Sequence, residues 1–194
     1  MIERNNITGL ILAGGKSSRM GTDKGFLKLE GITFMERIIE TIRPYVNEII
    51  IVSHNSDYDQ FGFKRIEDSI KDAGPLAGLY TGLHHSETEY NLVLSCDVPL
   101  VNSAILDKLF EGIDTTSEVI QLESDGKTMP LIAIYKKKCQ HRCLEMLQSG
   151  ERRLQVAVKQ FKTKTRTIDS ELNPFVKNIN TLEQFKALEH EIER

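Results

Sequence analysis

The sequence predicts an α/β fold: a three-layer, mostly parallel, Rossmann-like sheet with helices on both sides. Three observations predict it. Apolar runs of strand length alternate with amphipathic stretches from end to end, the order produced by strands joined through crossover helices. The run Ile49-Ile50-Ile51-Val52 is β-branched throughout, as suits a strand buried on both faces. No Pro/Ser-rich linker or repeat interrupts the 194 residues, so residues 1–194 are expected to form a single domain around one sizeable core.

Ile7 to Leu12 reads as the first strand, and it runs directly into a glycine-rich, basic stretch from Ala13 to Lys24. Thr33-Phe34-Met35-Glu36 fits a capping box, in which Thr33 accepts from a free backbone N–H and Glu36 reaches back to the cap residue. The helix that starts there carries Phe34, Ile38 and Ile42, with Met35 and Ile39 alongside, as one apolar stripe ending before Pro44. Ile49 to Val52 supplies the second strand, and Lys64 to Ile66 a short third that ends at Glu67-Asp68. Pro75 then stands where a first helical turn tolerates a residue without an N–H. Gly74, Gly78 and Gly82 share that segment. A glycine in a helix interior costs about 1 kcal/mol relative to alanine, so these residues make sense where something approaches the backbone closely.

Leu92-Val93-Leu94 is the next buried strand, which places Asp97 at a strand's carboxyl end. Downstream, the pattern predicts a helix over Ser103 to Phe110 and strands at Val119 to Leu122 and Leu131 to Tyr135. A helix from about Lys138 to Gln148, stopped by Gly150, comes next, with a shorter one after Glu151. A strand near Thr165 to Ile168, the segment Phe175 to Asn180 and a closing helix from Leu182 complete the chain.

Composition narrows the function. The chain is 40% hydrophobic and 27% charged with a net charge of −3, which favours neither nucleic acid nor an anionic membrane surface as partner. No apolar run approaches the roughly 20 residues of a membrane span, and the first residues lack a signal peptide's apolar centre, so a cytoplasmic protein is expected. The three cysteines fit neither a zinc nor a redox spacing, and read as plain thiols in a reducing compartment.

In open α/β sheets ligands sit outside the carboxyl ends of the strands, and both the Gly14 loop and Asp97 fall at such ends. Gly14, Gly15 and Gly21 let backbone N–H groups approach a polyphosphate, while Lys16, Arg19 and Lys24 offer charge-assisted hydrogen bonds. The loop is not a Walker A motif, although Gly15-Lys16-Ser17 imitates its end: that motif needs glycine where this chain has Leu10. The spaced glycines of a dinucleotide-binding dehydrogenase are absent as well. Asp97 beside a triphosphate would repel it unless a cation came between them, and Mg²⁺, which commonly combines one or two carboxylates with phosphate oxygens and water, is the expected ion. Asp68, at another strand end, is a candidate for the nucleotide or for positioning the metal.

The stretch Leu12-Ala13-Gly14-Gly15 through Arg19-Met20-Gly21-Thr22-Asp23-Lys24 resembles the signature of nucleoside-triphosphate transferases. Four further segments, Glu67-Asp68-Ser69, Gly74-Pro75-Leu76-Ala77-Gly78, Gly150-Glu151-Arg152-Arg153 and Phe175 through Thr181, are together similar to the molybdenum cofactor guanylyltransferase family, over nearly the whole chain. The resemblance implies the nucleotide-diphospho-sugar transferase type of sheet. It implies transfer of GMP from GTP to the terminal phosphate of molybdopterin, with pyrophosphate released and Mg²⁺ as cofactor. By the same resemblance Leu12, Ala13, Gly14, Gly15, Lys24, Asp68, Gly78 and Asp97 meet the nucleotide, Asp97 holds the metal, and Lys24 and Arg19 serve the phosphates in catalysis. Arg152, Arg153, Asn178 and Asn180 fall on the acceptor side, and transient contacts with other proteins of molybdenum cofactor biosynthesis are implied.

Plainer readings stand beside these. Asp97 could form a turn before Pro99, Asp68 a turn before Ser69, and Asn178 and Asn180 turns of their own. Gly78 and Gly82 could serve close helix–sheet packing, and Arg152 and Arg153 a solvated helix start. His84 and His85 lie in a polar stretch with no partner at ligand spacing. A sister enzyme using CTP or another phosphorylated acceptor, and a nucleotide-binding adaptor without turnover, are the competing functions.

Overall fold

The computed structural model describes residues 6–14, 23–68, 70 and 73–192. Nine strands and six α-helices form its frame: β1 Ile7–Leu12, β2 Lys28–Leu29, β3 Ile32–Thr33, α1 Phe34–Ile42, β4 Glu48–Val52, β5 Lys64–Ile66, α2 Gly74–His85, β6 Tyr90–Ser95, α3 Ser103–Phe110, β7 Val119–Ser124, β8 Lys127–Lys136, α4 Cys139–Gln148, α5 Leu154–Val158, β9 Thr163–Thr167 and α6 Leu182–Ile192. Seven strands make one sheet in the order β5-β4-β1-β6-β8-β7-β9, and β2 pairs with β3 in a separate hairpin.

The sheet is mostly parallel, as the alternating pattern predicts. Parallel pairing joins β5, β4, β1 and β6 and also β7 and β9, whereas β8 lies antiparallel between β6 and β7. Its reversal comes from the two-residue turn Asp125-Gly126, where φ is 50° and 70°, the left-handed pair that matches strand twist in a tight hairpin. The expected strands from Val119 and from Leu131 are accordingly longer than their apolar cores. A second such turn, Glu30-Gly31 with φ of 52° and 81°, makes the β2–β3 hairpin.

Side chains alternate across the sheet into two cores. Ile7 and Ile11 of β1, Ile49 and Ile51 of β4, and Leu92 and Leu94 of β6 face α1 and α3. Leu10, Leu12, Ile50, Val52 and Val93 face α2, α4 and α5. With both faces covered, the strands have no solvent side and read as continuous apolar runs. The Thr33–Glu36 capping box is formed at α1. At α4, Gly150 has φ of 90° and the Gly150 and Glu151 amides donate to the carbonyls of Leu147 and Met146 at 3.1 and 2.9 Å, which stops the helix at the expected glycine. A third cluster of Leu29, Phe34, Ile179, Phe185 and Leu188 seats α6 against the β2–β3 hairpin, and this brings the last part of the chain to the carboxyl end of the sheet. No helix among the described residues is long and apolar enough to cross a membrane.

Candidate active site

The carboxyl ends of β1, β4, β5 and β6 lie side by side, and their ladder continues one residue further. Ala13, Cys96 and Ser53 donate to the carbonyls of Val52, Leu12 and Ile66 at 2.9, 3.1 and 2.9 Å. Above them opens a cavity of about 650 Å³, walled by Leu12, Ala13 and Gly14 on one side and by Gly74 and Gly78 of α2 on another, with Asp68 between. A Cβ added to Gly14 would meet nothing within 4 Å, so its backbone faces open space. Gly15, Lys16, Arg19 and Gly21 lie outside the described residues.

Asp68 contributes a polar atom that the fold leaves unmatched. Its Oδ1 is buried without a hydrogen-bond partner, and burial pushes its carboxyl above the usual range, against the pull of His54 and of a hydrogen bond from Thr81. A buried acceptor left in this state costs free energy, and it stands ready for a donor on a ligand. Gly78 and Gly82, which sequence alone left open between two roles, separate here. A Cβ at Gly82 would come within 2.9 Å of Leu10 Cδ1, whereas one at Gly78 would meet Asp68 Oδ1 and Leu12 Cδ1 at 3.6 Å. Gly82 therefore serves close packing of α2 on β1, and Gly78 keeps the cavity wall low beside Asp68.

Lys24 and Asp97 meet at one edge of this cleft. Lys24 Nζ donates to Asp97 Oδ2 at 3.3 Å and to Asn180 Oδ1 at 2.5 Å. Asn178 Nδ2 donates to Asp97 Oδ1 at 3.2 Å, and the Ile179 amide donates to the Asp97 carbonyl at 2.8 Å. Asn180 is fixed in turn by Gln184, whose Oε1 accepts from the Asn180 and Thr181 amides at 2.7 and 3.2 Å. The side chains of Lys24 and Asp97 are only 19% and 12% exposed, so the pair is shielded, and its geometry is held by the segment Asn178 to Asn180. Asn178 also lines a second cavity, of about 520 Å³, between the β7–β8 hairpin and α6. The first cavity is lined by Asp23 and Ser95, one residue before Lys24 and two before Asp97.

The four residues expected on the acceptor side divide. Asn178 and Asn180 join Lys24 and Asp97. Arg152 and Arg153 are engaged elsewhere: Arg152 Nη1 donates to the Leu147 carbonyl at the end of α4 at 2.7 Å, and Arg153 Nε and Nη2 grip the Glu151 carboxylate at 3.0 and 2.9 Å. That grip holds the Glu151 carboxyl down at about 2. Their loop borders the first cavity, since a Cβ on Gly74 would lie 3.4 Å from the Arg152 carbonyl oxygen.

Sequence reasoning missed Ser53, His54 and Asn55, which line the first cavity, and also Asp23 and Tyr58. Asp23 Oδ1 accepts from the Tyr58 hydroxyl at 2.5 Å and the Gly25 amide at 3.2 Å, and its Oδ2 accepts from Asn55 Nδ2 at 3.2 Å. The signal for them was turn chemistry after β4, where Asn55 Oδ1 accepts from the Asp57 amide. His84 and His85 play local parts: His84 stacks on Tyr80 and His85 Nδ1 bonds the Thr81 carbonyl oxygen. Cys96, Cys139 and Cys143 are buried, and burial raises their thiols well above the ordinary value, which leaves them unreactive.

The arrangement suits a polyphosphate. An ammonium lodged between carboxylate and amide oxygens marks a place for positive charge, and those oxygens are the hard donors that Mg²⁺ prefers. Among the described residues no three His, Cys, Asp or Glu side chains gather as a metal site, so an ion at Asp97 would draw its other ligands from substrate oxygens, Asn180 or water.

The family described as the MobA-like NTP transferase domain matches residues 9–164. A Flavobacterium johnsoniae protein named "Probable molybdenum cofactor guanylyltransferase" is 35% identical over 94% of this chain and 96% of its own length. A Shewanella protein named molybdenum cofactor guanylyltransferase is 34% identical over 96% of each. The crystal structure of molybdopterin-guanine dinucleotide biosynthesis protein A from Archaeoglobus fulgidus superposes with a TM-score of 0.80, covering 96% of this chain and 98% of that one at 23% identity.

Proposed function

The chain belongs to the MobA-like NTP transferases, within the molybdenum cofactor guanylyltransferase family, and from that premise we propose that it transfers GMP from GTP to the terminal phosphate of molybdopterin. It is a nucleotidyltransferase. The observation that supports the finer reading is the Lys24–Asp97–Asn178–Asn180 cluster, which follows the lining residues Asp23 and Ser95 of one cavity and includes Asn178 of another, because joining two substrates needs both held at one reacting centre.

In this reading the nucleotide occupies the cavity between Gly14 and Gly78, with Leu12, Ala13 and Gly14 meeting it through backbone atoms and Asp68 accepting from one of its donors. The acceptor enters from the side of Asn178. Its terminal phosphate oxygen attacks the α-phosphorus of GTP in line, a new P–O bond forms, and the bond to the β-phosphate oxygen breaks to release pyrophosphate. Lys24 leaves its resting partners for the phosphate oxygens, and Arg19 adds charge there. Asp97 would hold Mg²⁺, which supplies charge neutralisation at the phosphates when bound. Asn178 orients the Asp97 carboxylate. No side chain acts as nucleophile, so alignment and electrostatics supply the rate.

Incubation of the chain with Mg²⁺, molybdopterin and each of GTP, CTP and ATP, followed by mass analysis, tests this directly. The guanine dinucleotide is the expected product. A cytosine or adenine dinucleotide overturns the base assignment, and the absence of any dinucleotide overturns the reaction.

A further inference from the structure

Lys24 is preceded by a residue that accepts from a buried hydroxyl: Asp23 Oδ1 accepts from Tyr58 Oη at 2.5 Å. Tyr58 is 0% exposed, and its ring stacks on Phe26 with centroids 4.6 Å apart. The fit leaves no slack: a Cβ on Gly25 would lie 2.2 Å from Tyr58 Oη, so glycine after Lys24 is what lets the hydroxyl reach under the turn. Burial raises the phenol far above its ordinary value, keeping it a neutral donor. The same short 3₁₀ turn, Ser56–Phe61, is capped by Asn55. That residue lines the first cavity and donates to the other oxygen of Asp23.

We propose that Tyr58 is a positioning residue that sets the place of Lys24 relative to Asp97, and that Asn55 links the occupied nucleotide cavity to that setting. This rests on the reaction proposed above. The hydroxyl touches neither catalytic side chain. It fixes the backbone on which Lys24 stands by tying Asp23, and it does so from the segment that forms the cavity wall. A shift of the lysine by about 1 Å can cost on the order of 100-fold in rate, so a hydrogen bond behind the residue bears on turnover without contributing to ground-state binding.

Tyr58→Phe in the full chain removes one oxygen and keeps the stacked ring. With Mg²⁺, GTP and molybdopterin, kcat should fall about tenfold or more while KM for GTP stays within about twofold, the signature of an effect on alignment. On a Lys24→Ala background the same change should have no further effect on kcat, because Tyr58 acts through that lysine. Amide exchange at Gly25, whose N–H donates to Asp23, should accelerate with global stability nearly kept. A kcat within twofold of wild type, or an undiminished loss on the Lys24→Ala background, overturns the proposal. If the wild-type chain forms no dinucleotide, the reaction assigned above fails on its own, and Gly25 exchange still decides the positioning role: unchanged exchange in Tyr58→Phe sinks it, and faster exchange supports it.

Discussion

Lys24 Nζ stands 3.3 Å from Asp97 Oδ2 across 73 residues of sequence, although the two follow different strands, β1 and β6. These strands are neighbours in the sheet, paired from Ile7↔Tyr90 to Leu12↔Ser95. Their shared register ends both strands at one height, so Gly14 and Asp97 leave the sheet side by side. Asp97→Asn keeps the shape and removes the charge. Pyrophosphate release should drop about 100- to 1000-fold, the scale on which one preorganised electrostatic group contributes, while thermal unfolding shows a fold still in place.

The oxygens around Lys24 also predict a metal requirement. Chelation of divalent ions should abolish turnover, and added Mg²⁺ should restore it. Measured activity in the presence of excess chelator would remove the ion from the mechanism.

Asp68 predicts a trade between stability and binding. Its folded-state pKa lies above the ordinary 3.8 because of burial, so the folded chain keeps this proton to higher pH than the unfolded chain does. Stability from the protonated form is present at low pH and is lost as pH rises through the raised value. Asp68→Asn removes the ionisation. At pH 7 the variant should unfold higher than wild type by about 2–4 °C, the shift that on the order of 1 kcal/mol produces in a chain of this size. The difference should shrink at pH 4, and GTP affinity measured by calorimetry should fall.

Gly78 and Gly82 sit one helical turn apart and should respond oppositely to alanine. Gly82→Ala forces a methyl against Leu10 and should cost about 1–3 kcal/mol of stability, read as a lower unfolding temperature with GTP affinity kept. Gly78→Ala fits at ordinary contact distance, gains helix propensity, and places a methyl at the cavity wall beside Asp68. Its unfolding temperature should hold or rise while GTP binding weakens about tenfold.

Much of the frame was legible because both faces of the sheet are buried. Ile49 to Val52 and Leu92 to Leu94 could only be interior strands, and Thr33 with Glu36 announced a helix start that formed as expected. The two tight hairpins were hidden. Asp125-Gly126 carries the correct turn chemistry, but the polar residues Glu123, Ser124, Lys127 and Thr128 around it lack the alternation that marks strand ends. In the site, the expectation that the glycine-rich loop and Asp97 face one cleft rested on their places at strand ends; the direct Lys24–Asp97 contact was not expected, because the charge argument put a metal ion between the carboxylate and the phosphates. Tyr58 and Asn55 were not, because they belong to a short 3₁₀ turn without periodicity, and their importance lies in contacts with residues 35 and 32 positions away. Arg152 and Arg153, expected on the acceptor side or as a solvated helix start, bond the end of α4 and Glu151, which no spacing rule reveals.

The ladder β5-β4-β1-β6 is built entirely from residues between Ile7 and Ser95, while Asn178 and Asn180 come from the final stretch before α6. As the polypeptide leaves the ribosome, the floor beneath the future nucleotide can assemble long before its closing asparagines are synthesised. The growing chain therefore acquires this floor first and the asparagines that hold Lys24 and Asp97 last, and an interrupted translation product would carry the four strands without that clasp.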